Sequence, residues 1–155
     1  MGIVMGADID AVYTTLDEGK TPALGDCFYG SGNKVYKFVQ YSEEAAAVDG
    51  VAGEVAYYVA DSGYGASQVT SDLSASDEVG AGVLQAAMSD NEYGWIQIKG
   101  AATLTIALTA GVDGDPLTAT GATDGTLDVT AAATSPVVAF AADASANEII
   151  CDFPW

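Results

Sequence analysis

The sequence predicts an all-β protein: a single β-sandwich or barrel-like domain of short antiparallel strands (residues 25–155) behind an extended N-terminal arm (residues 1–24). Three observations lead there. Short runs rich in Val, Ile, Tyr, Phe and Thr recur with Gly, Asp, Ser and Thr between them, at about the 8–12-residue spacing of sandwiches and barrels. No segment carries a convincing helical period of apolar residues. The chain has 155 residues, half of them apolar, enough for one domain that buries roughly 68–70% of its unfolded surface without metals or disulfides.

Residues 1–24 lack sustained alternation. Asp8 is placed to cap a short helical turn through Asp10–Leu16, and Gly19-Lys20-Thr21-Pro22 then breaks the chain. An arm of this length reaches about 80 Å when extended, at ~3.3 Å per residue. The strand-rich part follows. Asp26–Tyr29 is a strand, Gly30-Ser31-Gly32-Asn33 a turn, and Val35–Tyr41 a strand dense in β-branched and aromatic side chains. Glu54–Asp61 and Gln68–Ser71 are further strands, separated by a turn at Gly63–Gly65, and Asp72–Gly80 reads as a polar loop. Gly82–Met88 and Tyr93–Lys99 are strands around the turn Ser89–Glu92, with Gly100 as a breaker. In Tyr93–Lys99, residues Tyr93, Trp95, Gln97 and Lys99 share one face, and Gly94, Ile96 and Ile98 the other. Ala102–Thr109 alternates, with Leu104, Ile106 and Leu108 facing in and Thr103, Thr105 and Thr109 facing out. Leu117–Thr120, Thr126–Thr130, Pro136–Ala141 and Glu148–Phe153 supply four more short strands. The plausible helical turns are Ala45–Val48 and Ala131–Ala133.

The charges are one-sided: 22 acidic residues against four lysines (Lys20, Lys34, Lys37 and Lys99), no Arg and no His, for a net charge of −18. That balance speaks against nucleic acid, whose affinity comes from Lys and Arg on phosphates, and against anionic membrane surfaces. No apolar stretch is long enough for a spanning helix, and the early aspartates do not fit a secretory signal. Cys27 and Cys151 lack the neighbours of a zinc site and read as buried thiols; whether they meet is open.

An enzyme needs a tuned acid, base, nucleophile or metal. Without His the commonest general base and metal ligand is missing; without Arg so is the usual bidentate clamp for phosphate or carboxylate. The carboxylate pairs Asp113/Asp115 and Asp90/Glu92 fall in turns, where carboxylates serve the backbone. A calcium site at Asp113-Gly114-Asp115 is the alternative, without the ligand ladder of an EF-hand. The expectation is therefore a non-enzymatic protein without cofactor or metal. Phe153 and Trp155 close the chain, either as core packing or as anchors for a neighbouring subunit.

Four segments carry a resemblance. GVLQAAMSDNE (82–92) leads into YGWIQIKG (93–100). LGDCFYGSGNKVYKFVQY (24–41) and GDPLTATGATDGTLDV (114–129) extend the likeness to about residues 24–152. Together they resemble the decoration (cement, or auxiliary head) proteins of tailed bacteriophages. The resemblance implies a structural protein on the outer surface of the virion, bound to the phage major capsid protein and bridging neighbouring capsid subunits. It implies a homo-oligomer, a trimer or a dimer, with the arm clasping a neighbour by strand addition. On that reading the partner contacts are Ile3, Val4, Ile9, Val12, Tyr13 and Leu16 of the arm, with Phe153 and Trp155. A bacterial surface or adhesive β-module is one alternative. Another is a glycan-binding phage tail domain in which Trp95 and Tyr93 stack on sugars.

Overall fold

The computed structural model describes residues 2–61 and 63–155. Eleven strands form one hydrogen-bonded network: β1 (Ile3–Val4), β2 (Cys27–Tyr29), β3 (Val35–Tyr41), β4 (Val55–Val59), β5 (Gln68–Thr70), β6 (Ser76–Leu84), β7 (Tyr93–Thr103), β8 (Pro116–Thr118), β9 (Asp128–Val129), β10 (Ala139–Asp143) and β11 (Glu148–Asp152). One helical turn, α1 (Gly63–Ala66), joins β4 to β5.

Five strands close on themselves. β3 pairs with β5, β5 with β4, β4 with β6, β6 with β7, and β7 back with β3. This ring is a small barrel, and closure removes the open edges that invite aggregation. Most pairs are antiparallel, as expected, but β3–β5 and β1–β2 are parallel. The barrel opens at one end. There β7 leaves β3 and continues as the first strand of an outer sheet, β7–β11–β10–β8–β9.

The main core contains Val39, Tyr41, Val55, Tyr57, Val69, Val83, Ile96 and Ile98 of the ring, and Leu117, Ala139, Ile149 and Phe153 of the outer sheet. Tyr57 ties the two parts together. Its fully buried hydroxyl donates to the Thr126 carbonyl and accepts from the Thr126 amide at 3.0 Å. A second cluster, Tyr36, Phe38 and Trp95, lies on the other face of β3 and β7. The alternation read in Tyr93–Lys99 thus holds for Trp95 against Ile96 and Ile98, but both faces are covered.

Several expectations are corrected. Gly100 does not end its strand: β7 runs through it to Thr103. It sits at φ +89°, just past a register shift between Val35 and Tyr36 opposite Ile98. A Cβ there would meet the Asn33 carbonyl oxygen at 3.0 Å and the Lys34 Cα at 3.1 Å. The glycine is needed for close backbone approach, not for a break. Ala102–Thr109 is no separate strand. Its amides go to three different places: Leu104 to Asn147, Thr105 to Gly53 and Thr109 to Leu127. Ser76–Gly80, read as loop, begins β6, whereas the expected strand Gly82–Met88 ends at Leu84, and Met88 instead exchanges bonds with Gly50. Asp8 accepts from the Asp10 amide, but Asp10–Leu16 forms no helix; nor does Ala131–Ala133. Glu44–Ala46 forms a 3-10 turn close to the expected Ala45–Val48. Cys27 and Cys151 are both buried as thiols in the main core.

Gly100→Ala is expected to lower stability by about 2 kcal/mol in urea unfolding, from a left-handed conformation plus a backbone clash. Gly65→Ala, where a Cβ meets nothing within 4 Å, is expected to stay within ~0.5 kcal/mol. Burial pushes the Cys151 thiol up to about 12, from 9.0. Between pH 9 and 12 the unfolded chain loses that proton and the folded chain keeps it, so stability falls as pH rises through this window. Between pH 8 and 10.5 the stability gap between the wild type and Cys151→Ala is expected to narrow by about 1–2 kcal/mol, at ~1.4 kcal/mol per pH unit.

Candidate interaction surface

The side chains able to meet a partner fall in two places. The first is the arm. Residues 2–24 lie along the domain. β1 pairs with β2, Gly2 donates to Asp26 Oδ1 at 2.8 Å, and Tyr13 exchanges two backbone bonds with Tyr93 at 2.9 and 2.8 Å. Ala7, Ile9, Tyr13 and Leu24 pack on the Tyr36–Phe38–Trp95 cluster, Tyr13 edge-on to Phe38 at 5.8 Å. The arm therefore roofs an aromatic layer in which Phe38 and Trp95 themselves meet edge to face at 5.2 Å. A cavity of about 370 Å³ lies between Tyr13, Lys20, Asp26 and Trp95, and the buried Trp95 Nε1 has no acceptor among the described residues.

The arm contacts expected from sequence divide accordingly. Ile9, Val12 and Tyr13 are half-buried and fasten the arm, Val12 against the main core. Ile3 and Leu16 are exposed. Val4 lies in β1, and its side chain is outside the described ones. Phe153 needs correction: it is wholly buried, its ring lies against Gly80, and it offers a partner nothing. Trp95 needs the same correction for the sugar-stacking alternative, since it is 1% exposed.

The second place surrounds Trp155. Tyr29 from the end of β2, Tyr64 from α1 and Trp155 are 49%, 55% and 41% exposed. Tyr29 and Trp155 lie 6.1 Å apart, and the Tyr64 hydroxyl donates to the Trp155 carbonyl at 2.5 Å. The Lys99 ammonium sits 5.7 Å over the Trp155 ring and is ion-paired with Asp152. Beneath them lies a buried cation. Lys37 Nζ donates to Tyr58 Oη at 2.8 Å and lies 5.1 Å from the centres of both the Tyr58 and Tyr64 rings. Its hydrogen-bond acceptor is a phenol, and burial pushes its pKa down. The Tyr58 hydroxyl and the Tyr64 ring, not a carboxylate, supply the negative field around this ammonium.

Sequence reasoning placed Trp155 here and missed Tyr29, Tyr64 and Lys37. Tyr29 and Tyr64 sit in short segments whose convergence depends on the ring topology, and no local pattern announces it. The carboxylates of both pairs serve backbone amides, Asp115 and Glu92 within their own turns, Asp113 and Asp90 across to distant segments. Asp115 Oδ2 accepts from Val112 N and Asp113 Oδ1 from Ala144 N, both at 2.9 Å; Asp90 Oδ1 accepts from Glu43 N at 3.2 Å and Glu92 Oε2 from Ser89 N at 2.8 Å. Among the described residues no group of three His, Cys, Asp or Glu side chains is gathered to hold a metal ion. No helix among them is long and apolar enough to cross a membrane.

No protein-family model, no curated protein and no solved structure matches the chain.

Tyr13→Ala is expected to loosen the roof over Trp95. In a Trp155→Phe background, where Trp95 is the remaining indole, acrylamide quenching should rise severalfold; unchanged quenching would mean that Tyr13 does not hold the arm in place.

Proposed function

We propose that this chain is a non-enzymatic decoration protein of a tailed-bacteriophage head, bound to the outer capsid surface and bridging neighbouring major capsid subunits. The observation that carries the reading is the group of three exposed aromatics, Tyr29, Tyr64 and Trp155, fixed on a closed barrel in an otherwise strongly acidic molecule. Large rigid aromatics with polar tips are the side chains from which protein interfaces draw most of their binding energy. A closed ring holds them in place without spending its own edges on the contact.

The sequence likeness over residues 24–152 supports the same reading, as does a charge of −18 that keeps an uncomplexed copy soluble and away from packaged nucleic acid. The arm supplies a second footprint: Ile3 and Leu16 are exposed while Ile9 and Tyr13 hold them to the domain. Two modest contacts on one molecule multiply through effective concentration, which suits a clamp across capsomers, and assembly as a symmetric trimer or dimer would multiply them again.

The test is adsorption to empty, expanded heads that lack this protein. Wild-type chain is expected to coat them, and the double variant Tyr29→Ala, Trp155→Ala to need about tenfold more protein for half occupancy, each 1.4 kcal/mol being a factor of ten. Heads that bind no wild-type protein would overturn the reading.

A further inference from the structure

The register of the outer sheet carries a feature that neither the arm nor the Trp155 group absorbs. Pro116 of β8 stands opposite Phe140 of β10, Phe140 opposite Ile150 of β11, and Ile150 opposite Ala101 of β7. Directly paired residues project to the same side of a sheet. The four therefore form one apolar row across four strands. Their strand neighbours Ala139, Ala141, Ile149 and Cys151 face the main core, so the row is on the outside. No described residue covers it: Phe140 is 42% and Ile150 50% exposed, and Ala101 is exposed too. Two residues further along β11 and β7 comes the Asp152–Lys99 pair, with the Trp155 ring over Lys99. The row is thus followed by this ion pair and then by the aromatic group around Trp155. At its other end stand Glu148, paired with Thr103, and Asp143, paired with Glu148.

We propose that this row is a docking surface for another protein, whose contacting face is apolar at its centre and basic at its rim. The charges choose the occupant. A second copy would bring its own Glu148 and Asp143, on a chain of net charge −18, against the same acidic rim, and like charges across an interface are repulsive. Two lysines adjoin the row. Lys99 already has Asp152, and Lys34 lines a pocket with Ala101, Thr103 and Glu148. That leaves one cation against Glu148, Asp143 and Asp113, the last bonded to the neighbouring Ala144 amide. A partner with lysines or arginines around an apolar contact relieves that rim and covers Phe140 and Ile150 together. The inference rests on the chain working by binding a protein surface, and it names the face that does so; it does not require that surface to be a capsid.

The test uses the full chain and two short capped peptides, one alternating lysine with leucine and one alternating glutamate with leucine, followed by fluorescence anisotropy. The lysine peptide is expected to bind wild type, to lose about tenfold in affinity on the double variant F140S/I150S, and to weaken severalfold in high salt. The variant V48S, which removes an exposed apolar side chain from the loop after β3, is expected to bind as wild type. Melting curves of the variants check the fold. Equal affinity for wild type and F140S/I150S, an equal loss in V48S, or equal binding of the glutamate peptide would overturn the proposal. So would a wild-type dimer in sedimentation velocity that F140S/I150S abolishes, because the row would then belong to a second copy. A double variant that loses the peptide yet coats expanded heads like wild type would uphold the row as a docking surface and remove it from the head-binding reading.

Discussion

The ladder between β3 and β7 is the constraint on which the molecule depends. Val35–Gln40 pair with Tyr93–Lys99, and this pairing turns an open sheet into a ring. Both other parts of the molecule start from those two strands. β2 and the arm extend from one side of β3, while the outer sheet begins where β7 outruns β3. The two faces of the ladder carry the two cores: Val35, Val39, Ile96 and Ile98 in one, Tyr36, Phe38 and Trp95 in the other. A strand pair buried on both faces cannot slip by one residue without turning aromatic side chains into the aliphatic core. Register is therefore fixed by packing on both sides at once.

That arrangement separates scaffold from surface. The ring has no unpaired edge of its own, and its tyrosines spend their hydroxyls internally, as Tyr57 does on Thr126 and Tyr41 on the Val48 carbonyl. The large aromatics that reach solvent come from additions to the ring: Tyr29 of β2, Tyr64 of α1, Phe140 of β10 and Trp155 after β11. Substitutions there trade binding against little stability. The buried ammonium of Lys37 under Tyr64 is the point where scaffold and surface touch, because the same ring that lies over the cation also holds the Trp155 carbonyl.

Much of the fold was legible. Val35–Tyr41 is recognisable from β-branched and aromatic density alone, and its bounds match β3; Tyr93–Lys99 shows its two faces by alternation. Local chemistry failed where long-range pairing decides. Gly100 looks like a stop, yet it lets the backbone pass close to Asn33 and Lys34. Ala102–Thr109 alternates like a strand, but no single partner takes its amides. Ser76–Gly80 looks polar enough for a loop and is held extended by β4. At the surface, Trp155 was readable as an exposed anchor, whereas Phe153 looked equivalent and is core. The row through Phe140 and Ile150 has no signature in sequence at all, since it exists only through the lateral pairing of β10 and β11 with β7 and β8.

Closure of the ring by β3 and β7, with the arm as an added roof, is tested most directly by hydrogen exchange of the native chain at single-residue resolution. The amides of the β3–β7 ladder should exchange slowest and together, at a rate set by global unfolding. The amides of Tyr13 and Cys27, and that of Tyr93, which points out of the ladder to Tyr13, are all bonded with the arm and should exchange much faster, through a local opening that low denaturant does not accelerate. Equal rates for both sets, with equal denaturant sensitivity, would make the arm part of the cooperative core and contradict the separation of ring from roof.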